Sequence, residues 1–318
     1  MSRPIVYVSL QQFCEYDERP RQVLLEAGFD IRHNSLGRRL KREELSEALH
    51  EVDAVIAGVE PYDAASLATL PRLRCISRCG SGTDTIDLVA AGQRQITVLT
   101  TPDEVVEPVA QLTVAMILAL ARQLSGFVND AHAGLWKKRT GVLLSEWTIG
   151  LIGFGRIGRA VERHLRTFGP CVLVTDPHVP VAQLPSSVKS RDLPALLSEA
   201  DVVSLHVSRS REEGTLIGQR ELAIMKSGSY LINTARGFLV DEEALYQALS
   251  TAHLAGAALD VYEIEPYTGP LMHLPQVICT PHIASLTRAS RTAMELRCAQ
   301  NVVDFFSKVA CSGPSQSF

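Results

Sequence analysis

Between Leu259 and Tyr267 the chain reads LDVYEIEPY, which sets three carboxylates, Asp260, Glu263 and Glu265, into a mostly apolar stretch. Upstream, NTARG carries Arg236; downstream, TPHIAS carries His282. A cation, an acid and a proton carrier are the parts needed to hold an anionic substrate and to move a proton on or off it. Each has an ordinary explanation when taken alone. Arg236 could pair with Asp241, Glu242 or Glu243, Glu265 could be a solvated charge, and His282 is one of nine histidines. Their common position argues otherwise. Arg236, Glu265 and His282 all follow short apolar runs (YLINTA, GAALDV, VICT), and in open parallel α/β sheets ligands bind beyond the carboxyl ends of the strands. His206, closing VVSLHV, and Asn233 and Thr234, closing YLINTA, fall at the same level. Pro266 after Glu265 and Pro281 before His282 restrict the backbone that presents the two side chains. Glu263 has no such support and reads as a solvated loop charge.

A second constellation stands upstream. TIGLIGFGRIGRAVERHLRTFGPCVLVTDP, residues 148–177, places Gly153, Gly155 and Gly158 as G-x-G-x-x-G after an apolar strand and at the start of a helical pattern. A second strand then ends in Asp176. Three glycines alone are a weak signal; strand, turn, helix, strand and terminal acid in this order are a strong one. Gly153 permits the tight turn, Gly155 lets the backbone approach a pyrophosphate, and Gly158 lets the helix pack closely. The helix N-terminus, with Arg156 and Ile157, faces the phosphates. Asp176 would accept hydrogen bonds from a ribose diol and repel a 2′-phosphate, and no arginine follows it in DPHVPVAQ, so the cofactor expected is NAD and not NADP.

These residues require parallel sheets to position them. Strands are expected at IVYVS, FDIRH, DAVIAG, LRCIS and ITVLT in the first third, and at TIGLIG, CVLVTD, VVSLHV, YLINTA, LAGAALDVY and QVICT thereafter. Helical patterns separate them, and most strands are apolar on both faces, which argues for two doubly wound α/β units with sheets covered on both sides. A long apolar helix near 105–123 connects the two series. A last amphipathic helix over about 287–308 is expected to return to the first unit and make it discontinuous. The tail CSGPSQSF is polar and expected to fray.

The totals agree. At 318 residues the chain has length for about two domains, on the prior of roughly 150 residues each. A net charge of −4 with 21% charged residues gives no electrostatic reason to bind nucleic acid or an anionic membrane. Seven scattered cysteines, most in apolar runs, read as free buried thiols in a reducing compartment, and Cys75 with Cys79 lacks the second ligand pair of a zinc site, so no metal is expected. The longest apolar run, LTVAMILALA, is too short to span a bilayer, and the N-terminus does not read as a signal peptide, so the chain is expected to be soluble and cytoplasmic.

Taken together, LRCISRCGSGTDTIDL, VAQLTVAMILALAR, GLIGFGRIG, LINTARG, AALDVYEIEP and TPHIAS resemble the D-isomer-specific 2-hydroxyacid dehydrogenases, particularly their phosphoglycerate dehydrogenase-like members. The resemblance implies a Rossmann NAD-binding domain, 101–287, inserted in a flavodoxin-like substrate domain, 1–100 plus 288–318. It implies that Arg236 binds the substrate carboxylate and carbonyl, that His282 is the general acid/base and that Glu265 pairs with it. Asp260 would bind the nicotinamide carboxamide. His206, Thr234 and Ala235 would line the cofactor, and the turn Cys79-Gly80-Ser81-Gly82 would offer amides to the substrate carboxylate. It further implies a homodimer with LTVAMILALA in the interface, and a small 2-keto or 2-hydroxy acid as substrate: 3-phosphohydroxypyruvate, hydroxypyruvate or glyoxylate. The sequence departs from the usual pattern at Val105, Gln111, Ser208 and Ala284. A reading from another class is an NAD-sensing corepressor-like interaction protein on the same fold, for which the chain lacks basic or disordered extensions.

Overall fold

The computed structural model describes residues 3–311; the residues of the tail after Cys311, expected to fray, lie outside the described residues. The chain forms two compact units, one from the segments up to Val105 and from Leu286 onward, the other from Val106 to Ser285.

In the first unit β1 (Ile5–Val8), α1 (Arg19–Glu26), β2 (Asp30–His33), α2 (Arg42–Leu49), β3 (Ala54–Ala57), α3 (Ala64–Ala68), β4 (Cys75–Arg78), α4 (Leu88–Gln93) and β5 (Thr97–Leu99) alternate. The five strands are parallel, in the order β2-β1-β3-β4-β5. This is the flavodoxin-like order.

The second unit opens with α5 (Val106–Ala121) and α6 (Leu124–His132). It continues with β6 (Thr148–Ile152), α7 (Arg156–Leu165), β7 (Cys171–Thr175), β8 (Val188–Ser190), α8 (Leu193–Glu199), β9 (Val202–Leu205), α9 (Gln219–Ile224), β10 (Tyr230–Asn233), α10 (Glu242–Ser250), β11 (Gly256–Leu259) and β12 (Val277–Cys279). Its seven parallel strands run β12-β11-β10-β9-β6-β7-β8, so the winding reverses between β6 and β9. β8 was not expected: it is a short edge strand with one buried and two exposed residues, VKS, and carries no apolar run to betray it.

The continuous apolar strands have a direct cause. Ile149 and Leu151 of β6, Val172 and Val174 of β7, Ile232 of β10 and Ala258 of β11 pack under α5 and α7. Their immediate neighbours Ile152, Leu173, Leu231 and Ala257 pack on the opposite face with Leu196, Leu222 and Leu245 of α8, α9 and α10. A strand covered on both faces cannot alternate apolar with polar.

α5 is a core helix of its unit, with Ala110, Thr113, Val114, Ile117 and Leu120 buried. It also stops at Ala121, where Gln123 turns left-handed (φ 50°) and α6 departs at 66°. No single helix among the described residues is long and apolar enough to cross a membrane. The two compact units divide at 105/106 and 285/286, and residues 101–105 bond into the first unit. Thr101 N donates to the Gly80 carbonyl and Ser290 Oγ to that of Glu104.

The last helix, α11 (Arg288–Cys311), packs on α1, β3 and β4 of the first unit. Polar bonds fix it there. The buried Glu295 accepts the Cys14 amide at 2.8 Å, and Asn301 Nδ2 donates to Ser77 Oγ at 3.4 Å.

Candidate active site

Three neighbouring strands of the second sheet, β10, β11 and β12, end side by side and carry Arg236, Asp260 with Glu265, and His282 on the segments that follow. The sheet order thus converts residues far apart in sequence into a row at roughly 5 Å spacing.

His282 and Glu265 meet directly. His282 Nδ1 lies 2.8 Å from Glu265 Oε2 and 3.1 Å from Oε1, and Oε1 also accepts the Tyr262 amide at 3.1 Å. A carboxylate on Nδ1 assigns that nitrogen its proton and leaves Nε2 as the other nitrogen of the ring. Both side chains are accessible, His282 at 49% and Glu265 at 35%. The stiff presentation expected from Pro281 comes with a sharper device: His282 itself is left-handed, φ 54°, in a turn closed by its amide on the Thr280 carbonyl at 3.1 Å. A non-glycine residue in this region is uncommon and is held by its surroundings.

Asp260 does that holding. Its carboxylate is fully buried; Oδ1 accepts the Ile283 amide at 2.8 Å and the Thr280 hydroxyl at 2.6 Å, and Oδ2 accepts the Ala284 amide at 2.9 Å. The carboxylate thus bonds residues on both sides of His282, and Oδ2, with one donor, keeps capacity for a further one. Alanine at 284 is no backbone burden there, since Ala284 is not among the left-handed residues. Glu263 has a partner, Arg211, at 3.6 Å, and its amide bonds Glu242 Oε1 at 2.8 Å.

Arg236 projects from extended backbone (φ −147°, ψ 141°) and donates from Nη1 to the Ala235 carbonyl at 2.7 Å. The loop is shaped by the buried Asn233, whose Oδ1 accepts the Ala235 amide at 3.0 Å and whose Nδ2 donates to the Arg236 carbonyl at 2.8 Å. Gly237 then passes so near the other loop that a Cβ on it would stand 1.8 Å from the Tyr262 carbonyl carbon. The three acids offered as alternative partners of Arg236 serve elsewhere: Asp241 caps α10, Glu242 takes the Glu263 amide and Glu243 takes Gln247. Thr234 is tied through the Thr113 hydroxyl, 3.0 Å away, to the Val109 carbonyl of α5. Neither Thr113 nor Thr280 stood out in the sequence, because a hydroxyl inside an apolar helix or beside a proline carries no pattern of its own.

The glycine turn between β6 and α7 fits a dinucleotide. Gly153 has φ +95°, and a Cβ there would meet the His206 carbonyl oxygen at 2.6 Å; a Cβ on Gly158 would meet the Gly153 carbonyl oxygen at 2.3 Å. Among the described residues nothing lies within 4 Å of a Cβ built on Gly155, and as the N-cap of α7 this glycine has no side chain to bond the first amides of the helix, which suits the approach of a phosphate. Asp176 is held by the Phe154 and His178 amides at 2.7 and 2.8 Å, one on each oxygen, and each oxygen keeps capacity for a ribose hydroxyl. His206 lies beneath the turn with Nε2 3.0 Å from Ser204 Oγ, and burial pushes its imidazole down to about 4.

The turn 79–82 belongs to the first unit. Two of its four amides are already used: Cys79 N on the Ala57 carbonyl at 2.9 Å and Gly80 N on Thr101 Oγ1 at 2.7 Å. The Ser81 and Gly82 amides have no acceptor among the described residues, so they are the open pair.

A dinucleotide turn at the winding reversal, with an arginine, an acid–histidine pair and three adjacent strand ends in the same sheet, defines a doubly wound nicotinamide-dependent oxidoreductase. Residues 114–284, over half of the chain, match the family model described as D-isomer specific 2-hydroxyacid dehydrogenase, NAD binding domain, and the chain belongs to that family. It is 36% identical over 276 residues to a glyoxylate reductase of Thermococcus litoralis, covering 83% of each chain. It is 36% identical over 271 residues to a D-3-phosphoglycerate dehydrogenase of Archaeoglobus fulgidus, covering 83% of this chain and 51% of that protein, so it spans about half the length of that relative. Among solved structures, the D-lactate dehydrogenase of Aquifex aeolicus complexed with NAD and lactic acid superposes with a TM-score of 0.83 at 28% identity, covering 96% of each chain.

Proposed function

We propose that this chain interconverts a small 2-keto acid and its D-2-hydroxy acid with NAD, on a substrate of the glyoxylate, hydroxypyruvate or 3-phosphohydroxypyruvate type. The observation that carries the reading is the His282–Glu265 pair, 2.8 Å apart on the strand end next to that of Arg236. NAD, when bound on the turn 153–158 with its ribose on Asp176, supplies the hydride chemistry at C2. The chain's own residues do the rest. Arg236 orients the substrate carboxylate and polarises the carbonyl. His282 Nε2 gives its proton to the carbonyl oxygen in reduction and takes it back in oxidation. Glu265 bonds Nδ1 and orients the ring, leaving Nε2 to exchange the proton. Asp260 holds the left-handed turn from which His282 projects. Asp176 disfavours the 2′-phosphate of NADP by charge repulsion.

The two units act in this reading as a substrate-binding and an NAD-binding domain. A homodimer is proposed through α6 and the following segment, where Leu124, Val128, Leu135, Trp136 and Leu143 are exposed. Six cysteines are free and buried or half-buried, which fits the reducing cytoplasm as the place of action.

A screen of 2-keto acids with NADH tests the proposal. One of the three acids should turn over, and His282→Ala should lose at least about 10²-fold in kcat, the usual scale of general acid–base help, while still binding NADH. Near-normal turnover of that variant would remove His282 from the chemistry. NADH binding with no turnover on any acid would favour the sensor reading.

A further inference from the structure

The loop that carries Glu265 is anchored at its two ends and thinly packed between them. Tyr262 and Tyr267 stack with ring centroids 4.4 Å apart and planes 13° from parallel, and Tyr262 Oη donates to the Leu259 carbonyl at 3.0 Å. Between the two rings Ile264 is 75% exposed, and a cavity of about 250 Å³ lies against Ile264, Pro266, Tyr267 and Gly269. Apolar burial therefore does little to fix residues 263–266, and their position depends on polar contacts.

Those contacts converge on Glu263, two residues before Glu265. Its amide donates to Glu242 Oε1, at the start of α10, at 2.8 Å; its carbonyl accepts Arg211 Nη2 at 3.3 Å; its carboxylate lies 3.6 Å from Arg211 Nη1. The Arg211 guanidinium also stands over the ring of Phe238, 5.3 Å from the centroid. Phe238 is buried and follows Arg236 by two residues. One cation thus touches both loops, that of the proposed acid and that of the proposed substrate-binding arginine. It comes from SRSREEG, the segment that departs from the family pattern at Ser208. Other charges of this segment close it on itself: Glu213 Oε2 accepts the Ser210 amide at 2.7 Å, and the Glu213 carbonyl accepts Arg209 Nη2 at 2.6 Å. Arg211 reaches out from that closed turn.

We infer that Arg211 is a positioning residue that latches the Glu265 loop to the Arg236 loop. The ion pair with Glu263 is not its main contact, because both side chains are largely exposed, 60% and 56%, and such pairs contribute little in water. The carbonyl bond is charge-assisted, and the contact with a buried ring is one that a lysine ammonium reproduces poorly. The latch is thus made to backbone and ring, not to the carboxylate. Its effect on turnover rests on the proposed roles of Glu265 and Arg236.

Hydrogen–deuterium exchange read by mass spectrometry tests the latch on the full-length parent, Arg211→Ala, Arg211→Lys and Glu263→Gln, with kcat and KM measured beside it. In Arg211→Ala the amides of residues 261–269 should exchange at least about fivefold faster, with β6 and β7 unchanged. kcat should fall roughly three- to tenfold while KM for NADH stays the same. Arg211→Lys should recover part of both losses, and Glu263→Gln, which keeps the carbonyl, should stay within about twofold of the parent. Unchanged exchange in Arg211→Ala overturns the latch. Faster exchange with kcat intact overturns the positioning role. A Glu263→Gln variant as impaired as Arg211→Ala makes the ion pair the working contact and overturns the latch to backbone and ring. A parent that turns over none of the keto acids overturns the catalytic reading and the positioning role with it, and the exchange result still decides the latch.

Discussion

At the scale of single residues, the three carboxylates of LDVYEIEPY have separate partners: Asp260 the turn around His282, Glu263 the Arg211 side chain, Glu265 the His282 ring. Asp260 offers the sharper test. An asparagine there presents an NH₂ group to a site filled only by donors, so at least one amide or hydroxyl loses its acceptor, at a cost of about 1–3 kcal/mol. Asp260→Asn should lower the unfolding free energy from urea titration by that amount and cut kcat at least roughly tenfold as His282 drifts from its pose. NADH affinity should stay near normal. A loss of NADH affinity with unchanged stability would instead return Asp260 to the nicotinamide, as the family resemblance implies. His206 supplies a pH dependence. Its folded value, about 4, lies below the ordinary 6.5 because burial disfavours the imidazolium. Between these values the unfolded chain binds more protons, so this contribution is complete above about pH 6.5 and is lost as pH falls toward 4. It is bounded at roughly 3 kcal/mol. Urea midpoints from pH 7 to 4.5 should fall less steeply in His206→Gln than in the parent; parallel slopes would remove His206 as the cause.

At the scale of elements, the site depends on loops that touch each other as closely as backbone allows. Gly237, after Arg236, leaves no space for a Cβ against the Tyr262 carbonyl carbon, which leads toward Glu265. Gly237→Ala must therefore push the arginine loop off the acid loop. The expected effect is a loss of about 2–4 kcal/mol in urea unfolding with a fall in kcat, and a stable, active variant would mean the loops yield more easily than the contact implies. The elements around these loops were legible because their physics is strong. Buried parallel strands are apolar at most positions, so ten of the twelve strands among the described residues, such as AVIA and GAAL, announce themselves, whereas FDIRH was found from weaker alternation and VKS not at all. The break between α5 and α6 was missed because Gln123 turns left-handed without a glycine to mark it. The G-x-G-x-x-G turn was legible because three glycines are forced by three close approaches. The bonds that Asp260 makes around His282 and the use of the Cys79 and Gly80 amides were not, since hydrogen-bond partners such as Thr280, Thr101 and Ala57 are brought in by tertiary structure and leave no local trace.

At the scale of the whole molecule, the longest apolar run is not the most exposed apolar surface. LTVAMILALA is the most apolar run in the chain, yet α5 spends it on α7 and the strands beneath. α6, much less apolar in sequence, buries no residue at all, and with the segment after it exposes Leu124 at 54%, Val128 at 44%, Leu143 at 66% and Trp136 at 94%. A tryptophan almost wholly in water beside other large apolar groups has the composition of an interface anchor. A second copy of this chain is the proposed occupant, in a two-fold arrangement where the same patch serves both partners. Charging the patch should then undo the pair without touching the fold, because none of these side chains supports a core within its own unit. Val128→Glu with Trp136→Glu is expected to shift light scattering during gel filtration from the mass of two chains to that of one at micromolar concentration. Far-ultraviolet circular dichroism should be unchanged. A parent already at the mass of one chain, or a double variant still at the mass of two, would move the interface elsewhere or remove it.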